Sequence, residues 1–277
     1  MIKLIACDLD ETLLNDKKEI TKANLAAIQK ARKEYGVYFV PATGRGFTCL
    51  HNVLEALEAY DQEDEYIISN NGGILVENKD FKILQMHALP FEKAKELFTF
   101  GYQKGICVQV FTAQDVFAYH LNEEEAKWLF TFKPDSKVMD LDHIDFLANE
   151  PIAKILFEST DMAYLHAIAN EMHDLLDGCV EVSYSSNRYL ELNAIGVDKG
   201  LGLHDLARHL HLSMDETMAI GDNLNDIAML KEAGVAVAVA NACDEIKEVS
   251  DYITKANHNE DAIAEAISTY IFKKEGI

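Results

Sequence analysis

The apolar positions of this chain change rhythm twice. Ile2 to Cys7 is a short, β-branched apolar run that stops at Asp8-Leu9-Asp10, the pattern of a buried strand with a polar end. Between Thr21 and Tyr35, Leu25, Ile28 and Ala31 recur at helical spacing, and Gly36 supplies the stop. Val37 to Val40 and Tyr66 to Ser69 read as further buried strands, ending at Pro41-Ala42-Thr43-Gly44-Arg45 and Asn70-Asn71-Gly72-Gly73. Strands alternating with helices predict the beginning of a parallel α/β sheet.

The pattern then shifts to strands joined by short turns. Gly73 to Glu77 and Ile83 to His87 form a predicted hairpin across Asn78-Lys79-Asp80. A helix (Phe91 to Gln103), two close strands (Ile106 to Phe111, Val116 to His120) and an acidic helical stretch follow. Then come a strand (Ile152 to Glu158), a helix (Met162 to Leu176) and two more strands (Val180 to Tyr184, Tyr189 to Leu192). From Lys199 the α/β alternation resumes: helix to His211, strand Thr217 to Ile220, helix Asp226 to Ala233, strand Val235 to Ala240, and three further elements starting at Asp244, Asp251 and Asp261. The expected organisation is an α/β domain made of residues 1–84 and 192–277, interrupted by an inserted α+β domain, residues 85–191.

Composition narrows the partners. The 277 residues carry 25 Lys+Arg against 47 Asp+Glu, a formal charge of −22, which argues against a nucleic-acid backbone or an anionic membrane as partner. Cys7, Cys49, Cys107, Cys179 and Cys243 are widely spaced, without a CxxC pair or zinc-ribbon spacing, as expected of thiols in a reducing cytoplasm. Asp8 interrupts the N-terminal apolar run before a signal-peptide core could form, and no run approaches the ~20 apolar residues of a membrane helix. The expectation is a cytoplasmic protein; oligomeric state is not legible.

The polar residues collect at strand ends, where open parallel sheets bind ligands. Asp8 and Asp10 follow the first strand, Thr43-Gly44-Arg45 the second, and Gly221-Asp222-Asn223 the strand from Thr217, while Lys199 opens the helix before that strand. If the first strand is central, these loops converge. Asp8, Asp10 and Asp222 then concentrate negative charge that a hard divalent cation neutralises, and Mg²⁺ suits carboxylates, a carbonyl and water. The Thr43 hydroxyl, the Gly44 N–H and the Lys199 ammonium suit a phosphate. Each piece alone has an ordinary reading. Asp-x-Asp-x-Thr occurs by chance in about one chain in thirty of this length, Thr43-Gly44-Arg45 makes an ordinary turn, a lone Lys199 is a surface residue, and Asp and Asn also cap helices. Their joint occurrence in this order is what carries the argument.

Asp8-Leu9-Asp10-Glu11-Thr12-Leu13-Leu14, Ala42-Thr43-Gly44-Arg45, Gly196-Val197-Asp198-Lys199-Gly200 and Gly221-Asp222-Asn223-Leu224-Asn225-Asp226 resemble the four motifs of the haloacid dehalogenase superfamily. The likeness is closest to the Cof-type, subfamily IIB phosphatases, with a Rossmann-like core and an inserted α+β C2B cap. Ser69 to Gly73 and the tail through Asn241-Ala242, Lys247 and Asn257 follow the same habit.

The resemblance implies a Mg²⁺-dependent phosphatase acting on small phosphorylated metabolites, sugar phosphates first, through an aspartyl-phosphate. Asp8 would be the nucleophile, and Asp10 would protonate the leaving oxygen and then activate water. Asp8, Asp222 and the Asp10 carbonyl would hold the metal, with Asp226 behind them orienting metal waters or Lys199. Thr43, Gly44, Lys199, Asn225 and the Leu9 backbone would hold the phosphoryl group. For its acid role, Asp10 is expected to have a pKa raised by its acidic neighbours; an Asp here also argues against dehalogenation. A phosphomutase would share every core residue, whereas a non-catalytic phosphate sensor should have lost part of the set.

Three positions depart from the family's habit: Asp198, expected to pair with Lys199 or Arg45, Ala240, and Glu260-Asp261-Ala262. Outside the motifs, His204, His209 and His211 lie near one another in one predicted helix, but His209, five residues from His204, falls on a different face, which makes a poor zinc site. Trp128, Phe130 and Phe132 are expected in a small core, and Glu123-Glu124-Glu125 is expected to be a solvated helix start.

Overall fold

A computed structural model of the chain describes residues 1–272 and divides into two compact units, one of Met1–Gln85 with the chain from Asp198 onward, the other of Met86–Val197. The second crossing lies six residues beyond the expected 191/192 boundary. Its cause is local: the strand Tyr189–Ala194 pairs with Val180–Ser185 along its full length, and the turn after it closes by a Val197 N–H to Ala194 carbonyl bond.

In the first unit, five parallel strands run in the order Tyr252–Ile253, Val235–Ala238, Thr217–Gly221, Leu4–Cys7, Tyr38–Pro41. Leu4–Cys7 is wholly buried, which explains its unbroken apolar run. It pairs Cys7 with Pro41 on one side and with Ile220 on the other, so chain order reverses beside it. The segments after Cys7, Pro41 and Gly221 thus leave the same sheet end side by side. Helix Lys22–Tyr35 starts where Thr21 accepts from the Asn24 N–H and ends at Gly36 with φ +63, a left-handed cap. The Asn24 carboxamide in turn accepts from Ala264 N–H, tying this helix to the one at Ala262–Tyr270.

The strand Tyr66–Ser69 joins the parallel sheet only through a single bridge between Ala42 and Ile68, and its main partner is Ile74–Glu77, antiparallel. Together with Lys82–Met86 these strands form a three-stranded sheet. The turn between them puts Asn70, Asn71 and Gly72 all at positive φ. Asn and Gly tolerate that conformation, and here they turn the chain back on itself. At Gly72 a side chain is also excluded by space, since a Cβ would lie 1.9 Å from the Asp198 carbonyl oxygen.

The second unit holds six strands in the order Val180–Ser185, Tyr189–Ala194, Ile152–Glu158, Cys107–Thr112, Val116–Tyr119, Lys137–Val138, antiparallel except for the last pair. On one face Val108, Val110, Ile155, Phe157, Leu190 and Leu192 pack with Leu97 and Phe98 of helix Phe91–Gln103 and Leu165 and Ile168 of helix Met162–Glu171. The expected single helix to Leu176 is instead two, with Met172 outside the helical conformation between them.

Two expectations for the helix Glu123–Phe132 fail. Trp128 and Phe130 are exposed rather than core, with Trp128 stacked on Phe132. Its acidic start is only partly solvated: Glu123 and Glu124 are exposed, but Glu125 is buried, accepting from the Gln109 amide and the Tyr189 hydroxyl. No helix among the described residues is long and apolar enough to cross a membrane.

Candidate active site

At the carboxyl end of the five-stranded sheet, Asp8, Asp222 and Asp226 bring carboxylate oxygens within 4.8 Å of one another, all three residues buried. The backbone places them. Asp8 N–H donates to Ile220 carbonyl at 2.9 Å, extending the ladder one step past the strand, so the loops carrying Asp8 and Asp222 sit next to each other. Gly221 is required here: a Cβ would lie 2.6 Å from Asp226 Oδ2. Asp226 closes the turn, its Oδ2 accepting from the N–H groups of Asp222 at 3.0 Å and Asn223 at 3.1 Å.

Lys199, at 0% exposure, reaches into this group as the first residue of its helix. Its Nζ donates to Asp8 Oδ1 at 2.5 Å and to Asp226 Oδ1 at 2.6 Å. Thr12 donates its hydroxyl to Asp222 Oδ1 at 2.8 Å. Both Asp226 oxygens are therefore committed, whereas one oxygen each of Asp8 and Asp222 has no donor among the described residues.

The charges follow. Burial pushes the Asp8 carboxyl up to about 7, with Asp226 and Asp10 adding to the rise and Lys199 opposing it. Burial likewise lifts Asp222 to about 8, reinforced by Asp8 and Asp226 against the Thr12 hydrogen bond and Lys199. For Lys199, burial favours the neutral amine, but the adjacent Asp226 and Asp8 outweigh it and keep the ammonium charged. One ammonium does not balance three carboxylates, so the donor set has both the oxygen chemistry and the charge deficit that suit a divalent cation.

Asp10 does not join this cluster through its side chain. Arg45 grips it with two bonds, Nε to Oδ2 at 2.9 Å and an Nη to Oδ1 at 2.5 Å, and Lys18 donates to Oδ1 at 2.8 Å. Burial would raise the carboxyl, yet Arg45 and Lys18 hold it below its usual value. The expected upward shift is thus reversed, because its nearest charges are cationic.

Thr43, Gly44 and Asn225 meet around Asn71. Thr43 N–H donates to Ile68 carbonyl at 2.9 Å and its carbonyl accepts from Asn71 N–H at 3.0 Å. Asn71 Oδ1 lies 3.0 Å from where a Gly44 Cβ would stand and accepts from Asn225 Nδ2 at 3.5 Å. Leu9 shapes the turn, its carbonyl accepting from Leu13 at 3.1 Å and Leu14 at 2.8 Å. Asp198 pairs with neither Lys199 nor Arg45: its carboxylate caps its own helix at the Leu201 N–H, 2.8 Å away. Of the histidines, His204 Nε2 lies 2.8 Å from Glu232 and the His209 ring packs edge-on against Tyr66.

Thr12, Lys18, Arg45 and Asn71 were absent from the expected site roles. Thr12 and Arg45 stand inside the quoted motifs, and Asn71 follows a strand end, so each had a signal. Lys18 had none, because its reach to Asp10 depends on the loop's path.

The fold and this site define an α/β protein with a buried acidic, cation-suited centre, and comparison with known proteins gives the family. A family model described as haloacid dehalogenase-like hydrolase matches residues 5–267. The 5-amino-6-(5-phospho-D-ribitylamino)uracil phosphatase YcsE of Bacillus subtilis is 30% identical over 272 residues, spanning 98% of this chain and 96% of that protein. A haloacid dehalogenase-like hydrolase from Bacteroides thetaiotaomicron superposes with a TM-score of 0.84 at 28% identity, over 97% of this chain and 99% of that one. The subclass IIB sugar phosphatase BT4131 shares the fold, with a TM-score of 0.82 at 23% identity over 97% and 98% of the two chains. The chain belongs to the haloacid dehalogenase-like hydrolases and is a phosphoric monoester hydrolase.

Proposed function

We propose that this phosphatase hydrolyses small phosphorylated metabolites whose leaving group is a sugar or polyol, through an aspartyl-phosphate on Asp8. The observation that carries the reading is the Lys199 ammonium bridging Asp8 and Asp226 inside the acidic cluster. The B. subtilis relative acts on a phosphorylated ribityl chain, which supports the substrate class.

Asp8 attacks phosphorus with one carboxylate oxygen, the bond from phosphorus to the leaving oxygen breaks, and that oxygen takes a proton from Asp10. Water then attacks phosphorus, Asp10 takes its proton, and the bond to Asp8 breaks to release inorganic phosphate. The acid step requires the Asp10 carboxyl to turn out of the Arg45–Lys18 grip and pick up a proton. Lys199, the Thr43 hydroxyl, the Gly44 and Leu9 N–H groups and Asn225 hold the phosphoryl oxygens, and Asp226 orients Lys199. Asp8, Asp222 and the Asp10 carbonyl would hold Mg²⁺, which would supply positive charge to offset the carboxylates and the anionic phosphate. Residues 86–197, the inserted unit, act as the cap that selects the leaving group.

The test is turnover of p-nitrophenyl phosphate. Asp8→Asn abolishes it without changing the far-UV circular dichroism, excess chelator stops it, and a rapidly quenched wild-type reaction yields a phosphorylated peptide containing residue 8. Retained activity in the variant, or full activity in chelator, refutes the assignment.

A further inference from the structure

The side chains read above as holding the phosphoryl group come from three distant segments, around Thr43–Gly44, at Lys199 and at Asn225, and one turn, from Ser69 to Gly72, touches all three. On the first side, Asn71 N–H donates to the Thr43 carbonyl at 3.0 Å. The Arg45 carbonyl accepts from Asn70 N–H at 3.1 Å and from the Ser69 hydroxyl at 2.9 Å. Asn70 and Asn71 reach this segment from left-handed backbone, φ +50 and +53, which asparagine tolerates better than most residues. On the second side, Gly72 packs its bare backbone against Asp198, the residue before Lys199.

The third side is made by a side chain. Asn71 is buried, and its Oδ1 accepts from Asn225 Nδ2 at 3.5 Å. Gly44 leaves the room for this, since its Cβ would stand 3.0 Å from the same oxygen. A carboxamide has a donor end and an acceptor end, and only the nitrogen suits a phosphoryl oxygen. At 3.5 Å the contact adds little attraction of its own. Its effect is selection, because a flipped Asn225 would set two amide oxygens against each other. With Nδ2 turned to Asn71, one hydrogen is engaged and the other is left for a ligand.

We propose that Asn71 is a positioning residue for phosphoryl binding. Anchored in the turn that pins residues 43–45, its carboxamide oxygen holds Asn225 with the nitrogen presented to the phosphoryl oxygens. Asn71 acts through Asn225, and the inference rests on the reading of Asn225 as a phosphoryl donor.

The test is a double-mutant cycle on the Ki of inorganic phosphate as a competitive inhibitor of p-nitrophenyl phosphate turnover. Asn225→Ala raises Ki by about tenfold, the scale of one hydrogen bond to a charged group. Asn71→Gly, which keeps the left-handed backbone and removes only the carboxamide, raises Ki by about fivefold or more. The double variant is no worse than Asn225→Ala to within about twofold, because both changes remove the same contact. A smaller rise in Asn71→Gly, or losses that multiply in the double variant, overturns the proposal, since a merely structural role for Asn71 would add to the loss of Asn225. Asn71→Asp keeps an oxygen facing Asn225 Nδ2, so adding Asn225→Ala to it costs the full tenfold or about that. If Asn71→Gly does not fold, a cost below about threefold in this second cycle overturns the proposal instead. Asn225→Ala with an unchanged Ki removes the reading of Asn225 and this inference with it, and leaves the Asp8 chemistry standing.

Discussion

Lys199 and Asp226 form an ion pair in which neither side chain is exposed to solvent at all, with Nζ 2.6 Å from Oδ1. Such a pair is costly to split, because the remaining partner stays in a poorly polarisable interior without a counter-charge. Here the lysine serves two buried carboxylates, Asp8 as well as Asp226. Replacing it with the similarly shaped Lys199→Met should destabilise the protein by about 3 kcal/mol or more, read from urea denaturation in the presence of chelator. A loss below about 1 kcal/mol, the scale of a surface pair, would mean that the carboxylates find relief elsewhere.

The position of Asp226 depends in turn on Gly221. An added methyl would sit 2.6 Å from Asp226 Oδ2, the oxygen that holds the Asp222 and Asn223 N–H groups. Gly221→Ala should therefore displace Asp226, cost about 1–3 kcal/mol in overpacking and lower kcat/KM through the Lys199 it orients. Melting and steady-state kinetics together check this; an active variant of wild-type stability would show that the loop shifts freely.

Asp10 offers a test based on leaving groups. If it donates the proton, Asp10→Asn should slow an alkyl phosphate by roughly 10²–10⁴-fold and an aryl phosphate far less, because a phenolate departs with little help. Steady-state rates on glycerol 3-phosphate and p-nitrophenyl phosphate make the comparison. Equal losses would point to the Arg45 and Lys18 contacts, which both substrates share, as the reason Asp10 matters.

How far the sequence could be read depended on whether a residue's neighbours are local. The meeting of Asp8 with Asp222 and Lys199 was legible because parallel sheets place consecutive strand ends together, and the apolar run ending at Asp8 marked a central strand. The hairpin from Tyr66–Ser69 to Ile74–Glu77 was missed although its turn, Asn70 to Gly73, is rich in residues that accept positive φ. The strand looked parallel because it follows a helix, and its one parallel bridge, at Ile68, is real. The charge state of Asp10 was misjudged because sequence proximity to Asp8 was visible, whereas the approach of Arg45 and Lys18 is set by loop paths. Glu125 failed for a related reason: three consecutive acids look solvated, but a helix turns its third residue onto the sheet, where Gln109 and Tyr189 receive it. Trp128 failed in the opposite sense, an aromatic left outside a core that the sheet's other face already fills.

Glu125 also gives the second unit a pH dependence of its own. Burial raises its carboxyl above the ordinary value of 4.5; Glu158 adds to the rise, and the donors Gln109 and Tyr189 and the charge of Arg188 oppose it. The folded protein therefore keeps a proton on Glu125 at pH values where the unfolded chain has released it. The resulting contribution to stability is full below 4.5 and is lost as pH climbs through the raised folded value. Glu125→Gln removes this titration while keeping an acceptor for Tyr189. The stability of wild type minus that of the variant, from urea midpoints across acidic to mildly alkaline pH, should fall as pH rises. A difference that stayed level or grew with pH would mean that Arg188, 3.4 Å from Glu125 through Nε, holds the carboxylate ionised throughout.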